Sequence, residues 1–354
     1  MRNMIDEPET RRLLQPDKLE PFLAENLSPH TKETALGAYR IRGGHSNETF
    51  IIWRGAEHFV LRRPPFGEYL PTAHDVQREY RVLTALSTAG FPSPKPLLLC
   101  SDQDIIGAPF YLMEQLNGVI IRGKTPDWVE LPEQRQAIGF AVADMLAALH
   151  ALDWRAIGLQ DFGKPDGYIE RQVRRWMTQF QGAKTRDIAD LDYVSAWLSA
   201  HIPISPAAAI VHGDYRIDNL MFAPEGPPRI IGVLDWEMAA IGDPLADLGY
   251  LLAFWRQKGD PLPALSAENN WRVTEEAGFP TRDELAQRYA NRANLSFSAD
   301  TMRFYHALAI WKMAILLEGS YKRMRAGFTD DPFFEELENG VPALARNARE
   351  IIGG

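Results

Sequence analysis

Two apolar segments in an otherwise helical part of the chain are each followed at once by acidic residues. The first ends at Val211 and leads into His-Gly-Asp-Tyr-Arg-Ile-Asp-Asn-Leu over residues 212–220. The second, Ile-Ile-Gly-Val-Leu over residues 230–234, leads into Asp-Trp-Glu. A carboxylate at the end of a buried strand is costly to desolvate unless a cation meets it. These segments therefore predict a small β island, over residues 210–222 and 230–234, that presents acids to a positively charged ligand.

The polar residues of this island match the requirements of a phosphotransferase that uses a magnesium nucleotide. One acid would orient and deprotonate the acceptor hydroxyl, while an amide oxygen and a second acid would hold Mg²⁺ on the phosphates. Asp214, Asn219 and Asp235 supply these groups. A turn-forming role would account for Asp214 alone, but it would leave Asn219 and Asp235 unexplained.

The spacing His212-x-Asp214-x-x-x-x-Asn219, followed by Asp235, resembles the catalytic loop and the metal-binding acid of the protein-kinase-like fold. Together with Gly-Asp-Pro-Leu-Ala-Asp-Leu over residues 242–248, it is similar to the aminoglycoside phosphotransferase family, which includes choline and fructosamine kinases. Several flanking phrases, at residues 60–65, 174–176 and 309–319, resemble the branch of that family found beside acyl-CoA dehydrogenases.

Hydrophobic patterning predicts a mixed α+β chain. The first third predicts a short helix over residues 17–26 and a five-stranded sheet with one inserted helix over residues 73–88; the strands fall at residues 38–42, 49–53, 59–62, 96–99 and 109–114. Helices dominate after Asn117-Gly118, at residues 138–152, 169–181, 191–200, 244–256, 282–291 and 302–325. The resemblance implies a bilobal, protein-kinase-like fold. Residues 1–116 would form a nucleotide-binding lobe with an antiparallel sheet, and residues 117–354 a mainly helical catalytic and substrate lobe that contains the β island.

The resemblance also implies roles for the residues of the island. Asp214 is the expected catalytic base, and Asn219 and Asp235 are the expected metal ligands. His212 and Asp247 are expected to support the catalytic loop. Asp243 precedes Pro244, so capping of the following helix is its expected role.

Two N-terminal segments are expected to bind the nucleotide. Gly44, Ser46 and Asn47 belong to the turn Gly-Gly-His-Ser-Asn, which corresponds to the nucleotide-covering loop of the family. Its glycines permit close approach of the backbone to phosphate, although an ordinary hairpin turn is the alternative. Glu114 and Leu116 lie in Met-Glu-Gln-Leu, which resembles the hinge whose backbone reads adenine.

A buried ion pair is predicted from helical geometry. Glu79 falls near the middle of the apolar stripe of the helix over residues 73–88, which is formed by Val76, Tyr80, Val82, Leu83 and Leu86. A carboxylate on a buried stripe needs a partner, and Arg62 at the end of the third strand is the natural one. The family has a lysine at this position, which contacts the nucleotide phosphates. Arginine keeps its charge and binds carboxylate or phosphate in a bidentate way; Arg63 is the alternative phosphate ligand.

These observations predict a phosphotransferase that uses ATP, or less favourably GTP, with Mg²⁺ to phosphorylate a hydroxyl of a small molecule. A degenerate nucleotide- or metabolite-binding protein is the alternative suggested by Arg62, but the joint presence of Asp214, Asn219 and Asp235 argues against it. A protein kinase is disfavoured, because the eight residues from Asp235 to Gly242 leave no room for a long activation segment.

Composition excludes several other classes. The chain has 38 basic and 47 acidic residues and a net charge of −9, which disfavours non-specific binding to nucleic acid. The single cysteine, Cys100, rules out a disulfide within the chain. An acidic N-terminus and the lack of an apolar run of about 20 residues predict a cytoplasmic protein that makes no membrane contact. The oligomeric state is left open.

The acceptor is the least determined part of the prediction. Residues 168–180 and 305–325, expected to line the substrate side, carry six cations and two acids: Arg171, Arg174, Arg175, Lys312, Lys322 and Arg323 against Glu170 and Glu318. Such an excess would repel an aminoglycoside and attract a carboxylate or a CoA phosphate. We therefore expect a hydroxyacyl-type acceptor, with an aminoglycoside, choline or a sugar as alternatives, and with core tryptophans plus ordinary surface cations as the plain structural explanation.

Overall fold

A computed structural model describes residues 3–27, 35–41, 47–65, 75–260, 265–327 and 333–353. The chain divides into two compact units. The first unit comprises Met1–Asn117 and Gly232–Ala239, and the second comprises Gly118–Ile231 and Ala240–Gly354. The segment Gly232–Ala239, which carries Asp235, therefore packs with the N-terminal part of the chain. The assignment of nucleotide binding to residues 1–116 and catalysis to residues 117–354 stays a prediction.

The first unit contains a five-stranded antiparallel sheet, as predicted. Its elements, in chain order, are α1 (Pro8–Leu14), α2 (Pro16–Asn26), β1 (Leu36–Ile41), β2 (Glu48–Arg54), β3 (Glu57–Arg63), α3 (Val76–Thr88), β4 (Pro96–Cys100), α4 (Gln103–Ile106) and β5 (Phe110–Glu114). The strands pair in the order β1-β2-β3-β5-β4. The short helices α1 and α4 were not predicted, because seven and four residues carry too little periodicity.

Alternation along β2 explains how the sheet joins its core. Phe50 and Ile52 are fully buried, whereas Thr49, Ile51 and Trp53, which alternate with them, are half-buried. They pack in one cluster with Leu19 and Leu23 of α2 and with Leu112 of β5. Helix α3 contacts β4 and β5. It begins at Val76, where the Asp75 side chain accepts a hydrogen bond from the Arg78 amide at 3.0 Å; residues 73 and 74 lie outside the described residues.

The second unit is mainly helical. Its elements are β6 (Val119–Ile120), α5 (Pro132–His150), α6 (Tyr168–Ala183), α7 (Ala189–Ala200), β7 (Ala209–Val211), β8 (Leu220–Phe222), β9 (Ile230–Val233, whose last two residues belong to the first unit), β10 (Ala240–Gly242), α8 (Leu245–Phe254), α9 (Arg282–Ala293), α10 (Ala299–Arg325) and α11 (Phe333–Ile351). Short 3₁₀ helices cover Ile217–Asn219 and Ser266–Glu275. All of the helices predicted after Asn117-Gly118 are present, and α11 is an additional one.

The predicted β island is two small sheets rather than one. Strand β7 pairs with β10, which the sequence did not predict, and β8 lies between β6 and β9. Three-residue strands depend on partners distant in the sequence, so their pairing is not visible in a local pattern. The loop after β7 is anchored to α5 by Tyr215, whose hydroxyl donates to the Val142 carbonyl at 2.8 Å. In the part of the chain that the structure describes, no helix is both long and apolar enough to cross a membrane.

Candidate active site

Asp214 and Asn219 meet in the loop that follows β7. The side-chain amide of Asn219 donates to both the backbone carbonyl and the Oδ2 atom of Asp214, each at 2.8 Å. The 3₁₀ turn over Ile217–Asn219 brings the amide back to the acid. Because both protons of Nδ2 are used by Asp214, the carbonyl oxygen of Asn219 is the atom left to accept from a ligand or to coordinate a cation.

Asp247 braces the backbone of this loop, as predicted. It is fully buried in the first turn of α8, and its two carboxylate oxygens accept from the amides of His212 at 2.6 Å and Gly213 at 2.8 Å. His150, at the end of α5, lies 3.3 Å from the same carboxylate. The ring of His212 is also fully buried, and its Nδ1 accepts from the Asp214 amide at 3.2 Å. The loop is therefore held by buried, charge-assisted hydrogen bonds.

Asp243 performs the capping role expected for it. Its Oδ1 accepts from the Leu245 amide at 2.9 Å at the start of α8, and its Oδ2 accepts from the Tyr305 hydroxyl. Burial raises the pKa of Asp243, and these hydrogen bonds partly offset the increase.

Cations hold Asp214 in its ionised form. Burial alone would raise the pKa of its carboxyl group, but Arg216 and Lys312 outweigh burial and keep that pKa below the ordinary value. The Nε atom of Arg216 lies 3.3 Å from Oδ1 of Asp214 and 3.5 Å from Asp218. The Arg216 guanidinium lies 5.0 Å from the ring centre of Trp271 and 5.8 Å from that of Phe254. Arg216 was not singled out from the sequence, although its position two residues after the predicted base was a usable signal.

A small cavity of about 40 Å³ lies beside the loop, between α6, α8 and α10. Its wall includes Gly213 of the loop, Trp176 of α6, Tyr250 of α8 and Lys312 of α10. The Lys312 ammonium donates to the Gly213 carbonyl at 2.6 Å. Burial lowers the pKa of Lys312 to about 8, against the opposing effect of Asp214 and Asp247.

The six cations counted on residues 168–180 and 305–325 do not together line this cavity. Lys312 is the only one of the six cations among the cavity-lining residues. Arg171 binds the carbonyls of Lys164 and Asp166, and Lys322 binds the carbonyl of Gly182. Glu318 is buried against Thr185 and Arg186. Each of these three charges is bound by backbone or side-chain groups away from the cavity, which counting charges along a helix cannot reveal.

Some tryptophans of the helical part are core residues, and another lines the cavity. Trp255 and Trp311 are core residues, whose indole groups donate to the Pro280 carbonyl and to Ser195, each at 2.9 Å. Trp176, by contrast, lines the cavity. The aromatic content of the helices is thus mostly structural.

A second cluster, here called the guanidinium cluster, lies within the first unit and consists of Arg62, Glu79, Asp235 and Glu237. Nη1 of Arg62 is 3.1 Å from Glu79, which confirms the predicted pair, and Glu79 is only 2% exposed. The same guanidinium donates twice to Oδ1 of Asp235 at 3.2 Å and lies 3.5 Å from Glu237. Glu237, two residues after Asp235, was not predicted.

The neighbouring charges of the guanidinium cluster and its burial shift the pKa values of Arg62 and Glu79. Burial works against the charge of Arg62, but Glu79, Asp235 and Glu237 together hold its pKa well above the ordinary value. Burial raises the pKa of Glu79, and Arg62 offsets only part of that increase. Arg63, the alternative phosphate ligand, instead binds the carbonyls of Leu13 and Ile106, so it braces the first unit.

Asp235 has the features of a metal ligand. Its side chain is 36% exposed, and its backbone has a φ of 65°, in the left-handed region that non-glycine residues rarely adopt. Within the described ranges, no group of three or more His, Cys, Asp or Glu side chains could bind a metal on its own. A single carboxylate such as Asp235 fits Mg²⁺, which typically takes one or two protein oxygens and keeps phosphate and water as its other ligands.

The remaining predicted nucleotide-binding residues belong to the first unit. Glu114 ends β5 and accepts from the Lys95 amide at 2.9 Å through its side chain. Leu116 packs closely on Gly232: a Cβ atom added to Gly232 would lie 2.2 Å from Cδ1 of Leu116. Asn47 is buried, and its side chain lies 3.5 Å from Glu237. Gly44 and Ser46 lie outside the described residues.

The sequence of the chain matches a known protein family. The pattern of the Phosphotransferase enzyme family (APH) matches residues 38–286, and the chain belongs to this family. Its fold is the kinase-like fold shared by the solved structures compared below. The resemblance stated from the sequence motifs is thereby confirmed.

The chain is similar to several individual proteins and solved structures. Acyl-CoA dehydrogenase family member 11 from Pongo abelii is 38% identical over 341 residues, which cover 94% of this chain and 42% of the relative. The chain thus spans well under half the length of that relative. The crystal structure of a putative aminoglycoside phosphotransferase from Ralstonia eutropha JMP134 is 31% identical, with a TM-score of 0.77 over 95% of this chain and 98% of that one. Choline kinase from Cryptosporidium parvum shares the fold at 12% identity, with a TM-score of 0.61 over 95% of this chain and 96% of that one.

Proposed function

We propose that the chain transfers the γ-phosphate of ATP to a hydroxyl of a small-molecule acceptor, with Asp214 as the base. The observation that carries this proposal is the state of Asp214: the carboxylate is kept ionised by Arg216 and Lys312 and is oriented by the amide of Asn219. A group that accepts a proton from an attacking hydroxyl must be ionised and fixed in direction. The Asp247 brace supplies the rigidity of the loop that carries it.

Magnesium would be held by the carbonyl oxygen of Asn219 and the carboxylate of Asp235. When bound there, the ion would neutralise charge on the transferring phosphate. The contacts of Asn219 support its part in this assignment, because Asp214 uses both amide protons of Asn219 and leaves its carbonyl oxygen to accept.

Nucleotide binding is assigned to the first unit. Arg62 would contact the phosphates in place of the usual lysine, and Glu79 would hold its guanidinium. Gly44, Ser46 and Asn47 would cover the phosphates, and the backbone from Glu114 to Leu116 would read the base. We take ATP as the nucleotide, with GTP as the alternative. Among solved aminoglycoside phosphotransferases that share the fold, one is a complex with AMP-PNP and another a complex with GDP.

A hydroxyacyl-type compound is our proposed acceptor. Several relatives that match most of this chain are named as acyl-CoA dehydrogenase family members. Two cations, Lys312 and Arg216, act on the carboxyl group of Asp214. An acceptor with one anionic group suits this setting better than a polycationic aminoglycoside, although solved neighbours include aminoglycoside and choline kinases.

The test is ADP formation across a panel of hydroxyacyl-CoA compounds, aminoglycosides, choline, sugars and homoserine. Asp214→Asn should fold and bind Mg·ATP but lose transfer by at least about 10²-fold, the usual scale for removing a general base. Asp144→Asn is the matched control, because that aspartate pairs with Arg288 and Arg292 between α5 and α9. Full turnover by Asp214→Asn would remove Asp214 from the mechanism, and efficient kanamycin phosphorylation would refute the hydroxyacyl acceptor.

A degenerate nucleotide-binding protein is the second candidate, and the contact of Arg62 with Asp235 favours it. An arginine on the metal-binding acid competes with Mg²⁺ for the same oxygen. In an active enzyme, Arg62→Lys should keep substantial turnover while Arg62→Ala weakens ATP binding. ATP binding that is indifferent to Mg²⁺ and to Arg62→Ala, with no turnover on the panel, would support the degenerate protein.

A further inference from the structure

We propose that Lys312 is a positioning residue, which fixes the peptide between Gly213 and Asp214 through its protonated ammonium group. This inference rests on the proposed function, because it assigns Lys312 a task only if Asp214 is the base. Lys312 comes from α10, about a hundred residues beyond the loop, and its Nζ donates to the Gly213 carbonyl at 2.6 Å. That carbonyl belongs to the peptide whose nitrogen is the Asp214 amide, so the bond fixes the plane from which the Asp214 side chain starts.

Both peptides that flank Gly213 are held by hydrogen bonds. The amide of Gly213 donates to Asp247, and the carbonyl of Gly213 accepts from Lys312. The amide of Asp214 in turn donates to the buried ring of His212. With Asp247 and His212 fixed in the core, Lys312 is the one of these three partners that reaches the loop on a long, rotatable side chain. Its protonation can therefore alter the loop without unfolding the core.

The surroundings of Lys312 favour an ammonium over a neutral amine. Nζ lies 4.8 Å from the ring centre of Tyr250 and 5.6 Å from that of Trp176, at cation–π distances. A charged donor also makes a bond to a carbonyl that is roughly twice as strong as a neutral one. Loss of the proton would weaken all three contacts together.

Several titratable or charged groups face this ammonium from the surrounding elements. They are Asp214 and Arg216 of the loop, Asp247 and Tyr250 of α8, Tyr168 and Arg175 of α6, and Tyr305 of α10 itself. The pKa values of the three tyrosines are raised by burial, so these phenols stay neutral at working pH. The pKa of Lys312 is lowered to about 8. Lys312 is thus the group of this set that changes charge just above neutral pH.

The experiment compares four proteins: wild type, Lys312→Met, Lys312→Arg and Lys322→Met. Lys322 is the matched control, because it lies on the same helix and its Nζ also donates to a backbone carbonyl, that of Gly182, at 2.6 Å. ADP formation from Mg·ATP with water as the probe acceptor is followed from about pH 6 to pH 10. Hydrogen exchange of peptides covering residues 211–220 reports the loop in the absence of turnover.

We expect wild-type kcat to fall as pH rises through about 8, because the ammonium loses its proton. Lys312→Met should lose about 10²-fold in kcat with little change in the KM for ATP, the scale expected for a misplaced catalytic group. Lys312→Arg should recover much of that activity and remove the alkaline fall, since arginine keeps its charge. Exchange of the 211–220 amides should be faster in Lys312→Met and unchanged in Lys322→Met.

Three results would overturn the inference: an alkaline fall that persists in Lys312→Arg, wild-type kcat in Lys312→Met, or equal exchange in all four proteins. If Lys312→Met unfolds, the pH profile of Lys312→Arg and the exchange data decide the matter. The Asp214→Asn variant separates the two proposals. Undiminished turnover in that variant refutes the proposed function itself, whereas its inactivity combined with any of the three results refutes only the role of Lys312.

Discussion

Replacing Arg62 with methionine is the sharpest test of the electrostatics of the guanidinium cluster. The substitution keeps an apolar stem of similar reach but removes the charge opposite Glu79, which is 2% exposed. Asp235 and Glu237 would then add their negative charges to the same site. Removal of one partner of a buried pair typically costs about 3–5 kcal/mol, because the other charge stays buried and uncompensated.

The pH dependence of the loss can be worked out from Glu79. Its pKa is already raised by burial, and without Arg62 it rises further. Glu79 can avoid the buried charge by taking up a proton, which near pH 7 costs about 3 kcal/mol for a group whose unfolded pKa is about 4.5, and near pH 5 under about 1 kcal/mol. A carboxyl group with a raised folded pKa destabilises the fold as pH rises above the unfolded pKa. The penalty of Arg62→Met must therefore grow between about pH 5 and pH 7.

Thermal unfolding at these two pH values measures the effect. At about 2–4 °C per kcal/mol, Arg62→Met should unfold about 6–12 °C below wild type near pH 7 and only about 2 °C below it near pH 5. Arg62→Lys is the matched control and should show little pH-dependent difference. An equal loss at both pH values would mean that Glu79 is not the source of the penalty and would refute this account of the pair.

Two further substitutions test the site. Asp235→Ala should abolish Mg²⁺-dependent ATP affinity, and calorimetry that shows wild-type affinity would reject its role as a metal ligand. Asp247→Ala removes the acceptor of two loop amides, His212 and Gly213, and should cost about 3 kcal/mol or more in stability together with most of the activity. Unchanged unfolding temperature and turnover in that variant would show that the loop holds its shape without the brace.

Local sequence patterns were sufficient for part of the site. Glu79 could be placed on the buried face of α3 from helical spacing alone, and its need for a cation then pointed to Arg62, a pair that the structure confirms. The spacing of Asp214, Asn219 and Asp235 pointed to the family, because few chemistries need two acids and an amide in that order. Asp247 as a loop brace followed from the same resemblance, and its two hydrogen bonds bear this out.

The charge count along two helices was incomplete, because the position of a charge depends on contacts between distant segments. The charge count over residues 168–180 and 305–325 treated each helix as a uniform wall. In the structure Arg171 and Lys322 reach neighbouring carbonyls, and only Lys312 lies at the cavity. A long side chain can satisfy its charge several ångströms from its own backbone, so its destination is set by whichever acceptor the fold brings near.

The family, most of the strands and helices, and the need to pair certain polar residues could all be predicted from the amino-acid sequence. These properties follow from local periodicity and from the energetic cost of burying a charge, both of which can be evaluated from the sequence. Tertiary structure alone decided that residues 232–239 pack with the first unit, that Glu237 joins Arg62, and that Arg216 and Lys312 keep Asp214 ionised. Lys312 lies 98 residues beyond Asp214 in the chain, and only the packing of α10 brings its charge close enough to lower the pKa of that carboxyl group.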